Sequence, residues 1–84
     1  MKKEFLGFYF NKLGEAYNKR GLKLKYAFIG NSQTILIKKK RYKVPKILAD
    51  LFIPNPKNYR HIGYKDGNHR NLKISNIEWV LMPI

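Results

Sequence analysis

The chain has 84 residues, 44% of them hydrophobic and 14% aromatic, contains no cysteine, and sets 18 Lys and Arg against 5 Asp and Glu for a formal charge of +13. That apolar content excludes wholesale disorder, the missing cysteine excludes disulfides and thiol catalysis, and no apolar run reaches the roughly 20 residues of a membrane span. So strong a positive balance self-repels in a compact domain unless a polyanion relieves it.

The segment FLGFYFNKLGEAYN, residues 5–18, reads as a hairpin of two aromatic-rich strands joined through Lys12, Leu13 and Gly14, with Phe8 and Phe10 on one face and Tyr9 on the other. Strand signals recur at 22–29 and at 34–38, with Gly30, Asn31 and Ser32 as the turn between them. Leu22 and Leu24 alternate with Lys23 and Lys25, the pattern of a strand with one buried face, and Tyr26 and Phe28 continue the leucine face into the core. The tract ILIKKKRYKV then reads as a hairpin with a basic tip.

Pro45 opens a helix over 45–52, since proline is tolerated at a first helical position, and Ile47, Leu48, Leu51 and Phe52 fall on one apolar stripe. Pro54 and Pro56 stop the helix and lead into a strand over 61–64. Asp66, Gly67 and Asn68 supply turn chemistry, Asn76 opens a short turn, and a strand follows over 78–81 with Trp79 and Val80 as core anchors. Without internal repeats or a long linker, residues 1–84 read as one domain, with a β-rich part at 1–44 and a second part at 45–84. The N-terminal MKKEFLGFYFNK lacks the apolar core of a signal peptide, so a cytoplasmic placement is expected.

A KV lead-in at Lys43 and Val44, an apolar helix ending in LFIPNP (51–56), a DGN loop (66–68) and an NIEW signature (76–79) follow one another without a gap. In this order the stretch 42–80 resembles the HNH homing-type endonucleases of phages and mobile introns. The resemblance implies an α+β fold: a small N-terminal antiparallel hairpin sheet beside a reduced ββα-metal core with one short helix at about 45–52. In such families Val is followed by His, an Asn-His or Asp-His pair precedes the loop, and a terminal helix supplies a last metal ligand. Here Pro45 follows Val44, the pair is Gly63 and Tyr64, and the chain reaches Ile84 near where that last ligand would fall, so the final helix reads as lost. Of these positions Asn76 alone keeps its residue type, and the resemblance gives it the task of tying down the loop backbone.

An HNH site needs a neutral imidazole to deprotonate water beside a divalent ion. A phenol with a reference pKa of about 10 holds its proton at neutral pH, and glycine has no side-chain ligand. His61 lies three residues before Tyr64 on one strand and is expected to point away from the pocket, while His69 reads as a solvated or phosphate-facing loop residue. The expectation is therefore a chain without catalytic residues, metal or cofactor, a nuclease scaffold that is not an enzyme.

Charge then directs the functional expectation to nucleic acid, duplex DNA ahead of RNA, bound by a basic protein of phage or mobile-element origin. The assigned contacts are Lys23, Lys25, Lys38, Lys39, Lys40, Arg41, Lys43, Lys46, Arg60, Lys65, His69 and Arg70. One alternative is a phage inhibitor or assembly factor that binds a host protein through the same face. A ribosome- or RNA-associated basic protein is another, and an active endonuclease ranks last. Trp79, Leu81, Met82 and Ile84 form an apolar surface to be covered by the N-terminal sheet, by a second copy in a homodimer, or by a partner.

Overall fold

Residues 2–82 are described in a computed structural model, in which eight strands form three small antiparallel sheets around one helix, an α+β fold; Ile84 lies outside the described residues. The first sheet contains β1 (Lys2–Phe5), β2 (Phe8–Asn11) and β3 (Ala16–Tyr17) in that order. The second contains β4 (Ala27–Ile29), β5 (Ser32–Ile37) and β6 (Lys40–Lys43), with β6 at an edge, and the third pairs β7 (His61–Tyr64) with β8 (Ile77–Val80).

Helix α1 (Val44–Phe52) follows β6 directly. Lys43 precedes it without a side-chain cap, so Pro45 near its start does the work of limiting unpaired N–H groups. Its stripe buries Val44, Ile47, Leu48 and Ala49 against Ile35 and Ile37 of β5, Ile77 of β8, Phe10, Ala16 and Leu72. Deleting a fully buried side chain such as Leu48 costs about 2–5 kcal/mol. At the other end, the Ile53 N–H bonds the Ala49 carbonyl and Lys3 Nζ reaches the Leu51 carbonyl at 2.7 Å, so β1 caps the helix.

The loop from β7 to β8 ties the sheets together. Ile74 N–H donates to the Lys12 carbonyl, and the Cα of Gly14 packs on Leu72 so closely that a Cβ there would stand 2.6 Å from Leu72 Cβ. On its other side Gln33 Nε2 donates to the Arg70 carbonyl at 3.2 Å.

Several expectations are corrected here. The first strand of the N-terminal hairpin has a partner not foreseen, β1, joined to β2 through Leu6 and Gly7. Residues 22–26 do not form a continuous strand: Lys23 makes an isolated bridge to Tyr17, Leu24 N–H bonds the Ala16 carbonyl, and Leu22 is exposed. Tyr26 packs on the core with its hydroxyl donating to the Gly14 carbonyl, but Phe28 stands outside with the Arg70 guanidinium 4.4 Å above its ring. Trp79 and Val80 are half-buried; the core anchors of this half are Ile77 and Leu72, while Trp79 donates its indole N–H to the Ile53 carbonyl.

Candidate nucleic-acid interface

A cleft of about 650 Å³ opens between the edge strand β6, the first turns of α1, strand β7 and the loop that follows β7. Each element contributes charge. Arg41 and Lys43 project from β6, Lys46 and Asp50 from α1, Arg60 and His61 from the start of β7, and His69 from the loop. Four Lys and Arg with two His thus face a single carboxylate, Asp50, which lies 3.8 Å from Lys46. Phe5 and Tyr42 form an apolar wall, stacked edge to face at 5.4 Å.

Local chemistry fixes several of these groups. Arg41 donates to the Thr34 hydroxyl, which in turn donates to the Ala27 carbonyl, so the guanidinium is braced across β5. Tyr64 and His69 stack with ring centroids 4.4 Å apart, and burial pushes the Tyr64 phenol above its ordinary pKa, so it keeps its proton. His69 Nδ1 lies 2.8 Å from the Asn31 carbonyl; a carbonyl accepts only, so Nδ1 carries hydrogen and Nε2 is left as the basic atom.

Asn76 closes the loop: its amide oxygen accepts the Asp66 N–H at 3.0 Å and its amide nitrogen donates to the Asn71 carbonyl at 3.0 Å. Asp66 is equally engaged, taking Asn71 Nδ2 on one oxygen and the Asn68 N–H on the other, and these bonds hold its carboxyl below the usual range. The HNH resemblance implies a divalent ion near positions 63, 64 and 76. The residues present do not fit one: Gly63 has no ligating atom, Tyr64 is a protonated phenol, and both polar atoms of Asn76 are bonded within the loop. Among the described residues no group of three or more His, Asp or Glu side chains is placed to hold a metal.

Of the assigned contacts, Arg41, Lys43, Lys46, Arg60 and His69 converge on the cleft. Others do not. Lys23 is paired with Glu15 at 2.8 Å, a bond that brings the Glu15 carboxyl down to about 2 and raises the Lys23 amine, and Lys25 lies in the same side hollow with Arg70. Lys40 lies over the Tyr42 ring, Lys38 borders a separate hollow, Lys39 turns out at the hairpin tip, and Lys65 is exposed at the start of the loop. His61 was expected to point away, but it lines the same cleft as Tyr64 and His69, because the cleft wraps around the end of β7 and takes side chains from both of its faces.

No family model matches the chain. A stretch of 41 residues, 49% of the chain, is 42% identical to an uncharacterized HNH endonuclease of Acanthamoeba polyphaga mimivirus and spans 12% of that protein. Among solved structures, the HNH homing endonuclease I-HmuI, described by its DNA binding and cleavage, superposes with a TM-score of 0.70 and 24% identity over 87% of this chain and 45% of its own. The chain therefore spans under half the length of either protein. These likenesses overturn the expectation that the chain is not an enzyme, because both proteins it resembles are named endonucleases.

Proposed function

Because the chain is related to the HNH endonucleases in sequence and in fold, we propose that it binds nucleic acid, duplex DNA by preference, along the phosphate backbone through the cleft between β6, α1 and β7. The observation that carries this reading is the convergence of Arg41, Lys43, Lys46 and Arg60 on one concave surface with Asp50 as its single opposing charge. Arginine presents a planar fork to phosphate oxygens, and the bracing of Arg41 by Thr34 reduces the freedom lost on binding. The His61 ring lies at the same mouth and can add a donor there. Contacts of this kind position a duplex without reading its bases, so affinity is expected to be largely independent of sequence.

The test is fluorescence anisotropy of a labelled duplex across a salt series. Each phosphate contact contributes about −0.9 to the slope of log affinity against log salt, so Arg41→Ala, Lys43→Ala and Arg60→Ala together should flatten the slope by about 2.7. Negligible wild-type binding at physiological salt, or a triple variant with the wild-type slope, would overturn the assignment of this cleft.

A further inference from the structure

Lys19, Arg20 and Lys38 surround a second hollow on the chain, floored by Leu6, Phe8 and Leu22. Phe5 lines the cleft described above and Leu6, the next residue along the turn from β1 to β2, lines this hollow. Its single carboxylate, Glu4, is exposed and accepts the Gly7 N–H at 3.1 Å.

The backbone here is costly to hold. Phe5 pairs with Phe8 and Ile37 with Lys40, so both hairpins close with two-residue loops, and φ is positive at both central residues of each: Leu6 at 50° and Gly7 at 88°, Lys38 at 52° and Lys39 at 68°. Such turns favour Asn and Gly, which relax in the left-handed region. A leucine and two lysines stand there instead, and Leu6 and Lys38 from the two turns border the same hollow. Strain of this kind persists where side chains are needed in place. Leu6 and Leu22 are 44% and 60% exposed, an apolar floor beneath three cations.

Cations around an exposed apolar floor match the sugar-phosphate backbone, with phosphate oxygens on the amines and guanidinium and the deoxyribose C–H face on the leucines. We propose that this hollow is a second backbone-binding site for the same duplex, so that the nucleic acid runs from the cleft along the edge strand β6 to the tips of the two hairpins. The proposal rests on the DNA-binding reading above. Five residues from Lys38 to Lys43 at about 3.3 Å each separate the sites by roughly 17 Å, or about five base pairs of duplex at 3.4 Å each.

Binding as a function of duplex length tests it. The full chain is titrated with labelled DNA hairpins of about 4 and about 16 base pairs, the first shorter than the roughly five base pairs between the sites and the second longer than the roughly 11 base pairs that the 36 Å long axis spans. A Lys19→Ala, Arg20→Ala, Lys38→Asn variant is compared with wild type, Asn being chosen because it tolerates the positive φ at 38. The expected result is an affinity loss of about tenfold or more and a salt slope flatter by about 0.9 per contact on the long duplex, with the short duplex bound as by wild type. Equal loss on both lengths, or none on either, would overturn the second site. Failure of the wild-type chain to bind either length would instead overturn the DNA-binding reading itself.

Discussion

Tyr64 and His69 lie face to face, their ring centroids 4.4 Å apart and their planes inclined by 19°, while the imidazole bonds the Asn31 carbonyl at the tip of the β4–β5 hairpin. One side chain thus fastens the loop after β7 both to its own sheet and to the neighbouring one. A stacked aromatic pair and a neutral hydrogen bond are each worth about 1 kcal/mol, reduced where the site is open to water. His69→Ala should therefore lower stability by about 1–2 kcal/mol, and His69→Phe, which restores the stack without the bond, should recover part of that loss. Thermal denaturation of the three proteins decides it: equal midpoints would show that the contact contributes nothing.

Asn76 is buried and satisfies the Asp66 N–H and the Asn71 carbonyl at once. Asn76→Ala leaves both unpartnered and should cost about 1–3 kcal/mol. Amide exchange at Asp66 should accelerate more than exchange in β1, at the outer edge of the first sheet. Uniform acceleration would point to global loosening in place of a released loop.

Gly14 has φ of +84°, and a Cβ on it would press on Leu72 from 2.6 Å, with backbone atoms of the same residue within 2.9 Å. Gly14→Ala therefore meets both left-handed strain and a contact that cannot be relieved by moving a flexible side-chain tip. A loss of more than about 1 kcal/mol is expected from the backbone conformation alone. A denaturant midpoint equal to that of wild type would show that the turn repacks freely.

Glu15 accepts from Lys23 and Asn11, and these bonds bring its carboxyl from the ordinary 4.5 to about 2. A carboxyl with a depressed folded-state pKa adds stability that is present above pH 4.5 and lost as pH falls toward 2. The stability difference between wild type and Glu15→Gln should accordingly shrink over that interval and be constant above it. Melting curves at pH 2.5, 3.5, 5 and 7 would read this; a gap unchanged across the series would show that the pair does not couple to folding.

Much of the second half of the chain was legible in its residues. Pro45, the apolar stripe behind it and the paired prolines at 54 and 56 bound the helix, and Asn76 holds the loop in the manner the HNH resemblance implies. The first half was less so. Strand β1 reads Lys-Lys-Glu-Phe, an exposed edge without apolar alternation, so nothing local announces it. Residues 22–25 alternate as a buried strand should, yet Leu22 faces solvent because Lys23 is drawn to Glu15 and the chain bonds β3 only at single points. In the site, Arg41, Lys43, Lys46 and Arg60 were visible as charge, whereas His61 was misplaced by strand periodicity, which describes a flat sheet and not a cleft wrapped around a strand end.

Among the described residues only Lys23 and Lys46 form ion pairs, with Glu15 and Asp50. Most cations of the chain therefore face one another across solvent, and ionic strength acts with opposite sign on two equilibria. Added salt screens the repulsion and firms the free fold, while on the proposed DNA-binding reading it competes with the chain for phosphates and would loosen the complex. On that reading the free chain is least stable in the low-salt conditions where it would bind most tightly. A bound duplex would then serve as its counterions, and folding and binding would become one linked transition whose melting temperature rises with DNA concentration.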